Sequence, residues 1–391
     1  MTSHIMPTYG RLPVTFSHGE GAWLWDNSGK RYLDALSGIA VCNLGHAHPA
    51  IHQAICEQSQ KLLHTSNLYG IDMQEKLADK LIALSDMDNV FFCNSGAEAN
   101  EAALKIARLY GHRKNIAKPI VLCMEKSFHG RTLGSLSATG NAKVQQGFDP
   151  LLQGFIHVPF NDIAAIQQAI ADNPDIVAIL VEPVQGEGGV NIPAADYLNQ
   201  IRTLCDRHEL LMMLDEIQTG VGRTGKFLAY QHNGILPDVC TMAKALGNGV
   251  PIGACLAKGK AAQLLGAGSH GSTFGGNPLA CSAALAVIST LEQTDLINLA
   301  EQKGQLIENQ LRKKITGNPQ IKQIRHKGLM IGIDLDKPCG ELVANALQKG
   351  LLINVTAEKT IRLLPPLLMD NEQINFLTDT LSELIISFKE Q

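Results

Sequence analysis

Three short apolar runs in this chain each end beside residues that can do chemistry. The run 90–93 leads into Asn94-Ser95-Gly96-Ala97-Glu98, the run 210–214 into Asp215, and the run 239–242 into Ala243 and Lys244. Open parallel sheets bind ligands beyond the carboxyl ends of their strands, so these are the positions to weigh. Ser95, Gly96 and Ala97 open a helical stretch, and free backbone amides at a helix N-terminus hold anions such as phosphate. The same residues also read as an ordinary cap, with Ser95 at the N-cap and Glu98 in the first turn. Asp215 either caps the next segment or faces a cation. Lys244 precedes the glycine-rich Ala245-Leu246-Gly247-Asn248-Gly249. Burial there disfavours the ammonium and supplies a neutral amine for Schiff-base chemistry; a solvated lysine would supply none.

Together the three sites say more than any one of them. An anion cradle, an acid and an amine are what pyridoxal 5'-phosphate requires: an anchored phosphate, a carboxylate that keeps the pyridine nitrogen protonated, and a lysine that condenses with the aldehyde. Two other patterns compete. Gly220-Val221-Gly222-Arg223-Thr224-Gly225 matches a dinucleotide fingerprint letter by letter, but it does not directly follow a strand or open a βαβ unit. Read on to Lys226 it approaches a P-loop, but Phe227 stands where Ser or Thr would bind magnesium. His46-Ala47-His48 has no carboxylate or cysteine nearby in sequence and reads as a structural turn, so no metal site is expected.

The elements that must position these residues follow from the hydrophobic pattern. Runs 90–92, 120–122, 177–181, 210–214 and 239–242 are apolar on both faces and alternate with helical stretches, including 97–110 and 195–208. Such runs predict a mainly parallel sheet covered by helices on both sides. Residues 21–26 read as a strand and 278–315 as one long helix or two. The end of the chain mixes strands near 329–335, 352–355 and 361–364 with helices at 340–349 and 371–389. The predicted division is an N-terminal segment, 1–50, packing with a small domain; a large domain, 51–285; and a small α+β domain, 286–391. The chain has 391 residues, 45% hydrophobic and 18% charged, which is incompatible with disorder. With 33 basic and 37 acidic residues it has no positive field for nucleic acid or an anionic membrane. No apolar run is long enough to span a bilayer, and the opening residues lack the pattern of a secretory signal. The nine scattered cysteines, without a Cys-x-x-Cys, predict free thiols and a cytoplasmic protein.

Over nearly its whole length the sequence resembles the class III aminotransferases of pyridoxal-phosphate fold type I. The likeness rests on 94–102, on Ser127-Phe128-His129-Gly130-Arg131-Thr132, on Val181-Glu182-Pro183-Val184-Gln185-Gly186-Glu187-Gly188-Gly189, and on Leu214-Asp215-Glu216-Ile217-Gln218-Thr219-Gly220 followed by Lys244. It implies a large domain with a mainly parallel seven-stranded sheet, plus a smaller α+β domain. The family carries a Gly-Arg-Thr-Gly turn where the dinucleotide-like pattern stands.

The resemblance also implies roles. Ser95, Gly96 and Ala97 hold the phosphate, Phe128 stacks on the ring, Asp215 pairs with the ring nitrogen and Gln218 contacts the ring hydroxyl. Lys244 is the Schiff-base lysine and proton carrier. Thr273 reaches the phosphate in a second copy, which implies a homodimer with shared sites, and Ser272 beside it contacts substrate. Arg131 and Arg362 grip substrate carboxylates with Glu187 gating Arg362; the bland alternative for each is a surface ion pair worth about 0–1 kcal/mol.

The opening residues 6–13 and Gly19-Glu20-Gly21 are similar to those of the branch that uses N2-acetyl-L-ornithine and 2-oxoglutarate in arginine biosynthesis. Ile39 stands where ornithine-specific members carry a tyrosine, which favours an acylated donor. Succinylornithine, ornithine and 4-aminobutyrate stay open as donors, as does a semialdehyde aminomutase. Outside the family, a nicotinamide-dependent oxidoreductase built on the Gly220 turn and a non-catalytic binding protein are the competing classes.

Overall fold

The computed structural model describes residues 4–388. Strands β1 (Phe16–Glu20), β2 (Trp23–Asp26) and β3 (Arg31–Asp34) form an N-terminal meander. The central sheet holds β4 (Asn89–Cys93), β5 (Ile120–Met124), β6 (Phe155–Val158), β7 (Ile176–Val181), β8 (Leu211–Asp215), β9 (Val239–Met242) and β10 (Gly253–Ala257), in the order β4-β10-β9-β8-β7-β5-β6. The run from β9 to β6 is parallel, whereas β10 is antiparallel to both β9 and β4. The last strands are β11 (Ile321–Lys327), β12 (Met330–Leu335), β13 (Leu351–Leu352), β14 (Asn354–Thr356) and β15 (Thr360–Leu363). Four of them pair in the order β11-β12-β15-β14, while β13 leaves that group and runs parallel to β3.

The apolar runs are explained by double-sided burial. In β7 and β8, Ile179, Val181, Met212 and Leu214 pack into one core cluster, and Val177, Leu180, Leu211 and Met213 into another across the sheet. Neither face meets water, so alternation is absent. Each such leucine contributes roughly 1.5–3 kcal/mol on burial. The stretch 278–315 is two helices, Pro278–Gln293 and Leu296–Lys314, the first started by Asn277 accepting from the Ala280 N–H at 2.9 Å. The last helix runs Asn371–Ser387; the expected end at 389 lies outside the described residues.

A left-handed turn follows β3. Ser37, Gly38, Ile39 and Ala40 have φ of 45°, 64°, 67° and 59°, a conformation that costs roughly 1–2 kcal/mol at each non-glycine residue. Asp34 Oδ1 holds it by accepting from the Leu36 and Ser37 N–H groups at 2.9 and 2.7 Å. Asp34 Oδ2 takes His46 Nε2 at 2.8 Å. His46 is thus tied to a carboxylate, His48 Nδ1 is buried without a hydrogen-bond partner among the described residues, and no metal-ligating cluster occurs among those residues.

Burial alone would push the His46 pKa down, but the hydrogen bond and charge of Asp34, with Cys42, raise it to about 9. A raised folded-state pKa stabilises fully below the unfolded value near 6.5 and is lost as pH climbs through 9. Wild-type protein is therefore expected to lose on the order of 1–3 kcal/mol between those pH values. That fall should be absent in His46→Gln, read from urea midpoints across the window; parallel losses in both proteins would contradict the assignment.

Candidate active site

The carboxyl ends of β8 and β9 and the helix after β4 meet at a cavity of about 380 Å³. Its lining includes Ser95, Gly96, Ala97, Phe128, Arg131, Glu187, Asp215, Gln218 and Lys244, so most of the predicted site residues converge. Such a volume suits a cofactor-sized ligand.

The helix Gly96–Arg113 begins with both features that the sequence suggested. Ser95 caps it, its hydroxyl accepting from the Glu98 N–H at 3.2 Å, and Glu98 in turn accepts from the Asn94 N–H at 2.9 Å. The cap leaves the amides of Gly96 and Ala97 without acceptors among the described residues. A Cβ at 96 would lie 2.7 Å from Ile217 Cδ1, so any larger residue there would force the Ile217 side chain to shift.

Asp215 ends β8 and is buried. Its Oδ2 accepts from Asn100 Nδ2 and His129 Nδ1, both at 2.8 Å, and its Oδ1 from the Ile217 N–H at 3.1 Å. Three donors orient the carboxylate toward the cavity it lines. Neither Asn100 nor His129 stood among the expected site residues. Asn100 looks like any polar helix residue, but it falls one turn after Gly96 on the same face. His129 lies inside the quoted 127–132 motif, and its Nε2 is buried without a hydrogen-bond partner among the described residues.

Glu182, just beyond β7, was also missed. It accepts from the Phe128 and Gly186 N–H groups at 3.1 and 3.4 Å, and desolvation raises its pKa to about 7 against the opposing charge of His129.

Lys244 sits just past β9 at φ 47°, a strained backbone for a side-chain-bearing residue. Desolvation lowers its pKa, the Arg362 charge adds to that, and Glu187 and Asp215 oppose it. Arg362, on β15, is fully buried. Its Nη1 donates to Glu187 Oε1 at 2.7 Å and to Gln218 Oε1 at 3.4 Å, its Nε to Asn354 Oδ1 at 3.1 Å, and its Nη2 has no hydrogen-bond partner among the described residues. Arg131 is exposed, with its guanidinium carbon 5.6 Å from the Phe128 ring centroid.

Three expected residues are not among those lining the cavity: Arg362, which touches it through Glu187 and Gln218, and Ser272 and Thr273, which stand apart. Ser272 bonds to Asn94 Nδ2 at 3.1 Å and accepts from the Gly275 N–H at 3.0 Å, while Thr273 is exposed; both border a separate hollow with Phe91 and His270. Ile39 is not among the cavity-lining residues, whereas Val41 is.

The family model for class III aminotransferases matches residues 5–385. The chain belongs to the class III aminotransferases. Among curated relatives, this aminotransferase is 54% identical to the acetylornithine aminotransferase of Nitrosomonas europaea over 99% of both chains. It is 47% identical to that of Methanocaldococcus jannaschii, over 97% of this chain and 96% of the other. Among solved structures, it superposes on the ornithine aminotransferase of Toxoplasma gondii with a TM-score of 0.95, at 34% identity over 98% of this chain and 93% of that one. It superposes on the acetylornithine aminotransferase of Elizabethkingia anophelis with a TM-score of 0.88, at 35% identity over 98% and 97%.

Pyridoxal phosphate is this family's cofactor, and the residues present fit it. Open amides at a helix N-terminus suit the phosphate, a carboxylate locked by three donors suits a ring cation, and a desolvated lysine suits the aldehyde. When bound, it supplies an electron sink for a carbanion at the substrate carbon. The dinucleotide-like turn serves packing instead: Arg223 is fully buried, donating to the carbonyls of Leu329 and Pro365.

Proposed function

We propose that this enzyme transfers the terminal amine of N2-acetyl-L-ornithine to 2-oxoglutarate. The products are N-acetyl-L-glutamate 5-semialdehyde and L-glutamate, a step of arginine biosynthesis that runs in two half-reactions. The observation that carries the terminal-amine part of this reading is the Arg362–Glu187 pair, 2.7 Å apart, with Arg362 Nη2 unpartnered among the described residues. A terminal-amine donor brings no carboxylate next to its reacting carbon, so Arg362 must be neutralised, and Glu187 does that. 2-Oxoglutarate brings its own carboxylate to the free Nη2 while Glu187, the more exposed partner, swings aside.

In this reading Lys244 carries protons to and from the reacting carbon and Asp215 holds the ring nitrogen's charge. Ser95, Gly96 and Ala97 bind the phosphate, Phe128 covers the ring and Gln218 meets its hydroxyl. Arg131 takes the distal carboxylate. Thr273 borders a hollow outside the cavity, which supports its serving a second copy in a homodimer, and Ser272 beside it contacts substrate. The free cysteines support a cytoplasmic setting. We further propose a large domain over 51–285 and a small one over 286–391, with the N-terminal segment 1–50 packing against the small one; β13 pairing with β3 supports that packing.

A donor panel tests the function: acetylornithine, succinylornithine, ornithine, 4-aminobutyrate and lysine, each with 2-oxoglutarate. Acetylornithine should give the highest kcat/KM; a preference for free ornithine would replace the proposed donor. Glu187→Ala should leave Arg362 uncovered and lower kcat/KM for acetylornithine relative to an α-amino acid by about 10–100-fold. An unchanged ratio counts against the gate.

A further inference from the structure

Arg223 is as fully buried as Arg362, yet among the described residues no carboxylate forms an ion pair with it. Its guanidinium is shared among groups far apart in sequence. Nη1 donates to the carbonyls of Leu329 at 2.9 Å and Pro365 at 2.5 Å; Nη2 donates to Asn43 Oδ1 and, at 3.3 Å, to the Ser37 hydroxyl. Burial lowers its pKa to about 9, against the charge of Asp34. An apolar side chain of equal volume would fill this space without that desolvation cost. Only a forked donor joins these acceptors.

What the acceptors carry gives the fork its meaning. Pro365 follows Arg362 on the chain leaving β15. Ser37 opens the left-handed turn, and its hydroxyl donates to the Leu364 carbonyl at 2.6 Å. Asn43 follows Val41 of the cavity wall; its carbonyl accepts from the Leu367 N–H and its side chain donates to the Val221 carbonyl. The turn holding Arg223 begins just after Gln218, whose Oε1 meets Arg362 Nη1 at 3.4 Å. A closed ring results: Arg362 to Gln218, along the chain to Arg223, across to Pro365, and back to Arg362.

We propose that Arg223 is a positioning residue for carboxylate recognition, holding the Pro365 carbonyl and the Ser37 hydroxyl so that Arg362 stays between Gln218 and Glu187. This rests on reading Arg362 as the carboxylate-binding arginine. Neither arginine lines the cavity, but Arg362 bonds to two residues that do, Glu187 and Gln218, whereas Arg223 bonds to none of them.

The test is Arg223→Lys in the cofactor-loaded enzyme, with Arg362→Lys in parallel. An ammonium cannot reproduce the fork, so KM for 2-oxoglutarate should rise at least about tenfold, with kcat held within about threefold and the cofactor's absorbance retained. Unaltered constants, or a fall in kcat at unchanged KM, would overturn the proposal. If Arg362→Lys raises KM and Arg223→Lys does not, this inference fails alone; if neither does, the reading of Arg362 fails first. Should Arg223→Lys yield no soluble holoenzyme, Ser37→Ala decides, since it removes one acceptor and the link to Leu364. A KM rise of about threefold or more supports the proposal, and an unchanged KM overturns it.

Discussion

Lys244→Ala is expected to reduce transamination by at least about four orders of magnitude. The reason lies in what else occupies the cavity. Glu187 is committed to Arg362, Glu182 to the Phe128 and Gly186 amides, and Asp215 to three donors. Among the described residues no second amine lines the cavity, His129 is held through Nδ1 by Asp215, and Arg131 cannot act as a base at neutral pH. Desolvation already biases Lys244 toward its neutral form, so on the proposed roles the deletion removes both the nucleophile and the group that moves the proton. Steady-state assays with acetylornithine, and borohydride reduction followed by mass spectrometry of the cofactor-loaded protein, read both losses. Turnover within tenfold of wild type, or a retained covalent adduct in the variant, would show that another residue does this work.

Asp215→Asn should cost about three orders of magnitude in kcat/KM while preserving side-chain shape. The amide has no negative charge to hold a protonated ring nitrogen. It also offers one oxygen where the carboxylate offered two, so the donors from Asn100, His129 and Ile217 can no longer all be met. An unmet buried donor costs roughly 1–3 kcal/mol, so weaker cofactor retention should accompany the lost activity. Rapid-mixing measurement of the first half-reaction and cofactor titration into stripped protein separate the two effects. A first half-reaction within tenfold of wild type would remove Asp215 from its proposed role.

Much of the architecture was legible because β7 and β8 are buried on both faces and therefore spell continuous apolar runs. Strands β6, β10 and β11 were not. β10 is Gly253-Ala254-Cys255-Leu256-Ala257, short of the β-branched residues that mark strands, and it is held by its neighbours β4 and β9. β11 has only Ile321 and Ile324 as apolar residues, set among Lys322, Gln323, Arg325, His326 and Lys327, so it lacks the alternation that marks a strand and is partly exposed along most of its length.

The site divides in the same way. Ser95, Asp215 and Lys244 could be read because each follows an apolar run at the end where parallel sheets bind ligands. Asn100, His129 and Glu182 could not be singled out, since a polar residue in a helix or a loop carries no mark of what it will face. The glycine pattern at 220–225 suggested a nucleotide turn, and folding made it the seat of a buried cation.

Residue order alone named the candidates: a helix start with Ser95, an acid and an amine, each at the end of an apolar run. Tertiary structure decided the rest. Arg362 and Glu187 lie 175 positions apart in the chain, and Asn43, Leu329 and Pro365 meet only at Arg223. Contacts between such distant segments depend on how sheets and loops pack, and no local pattern encodes that geometry.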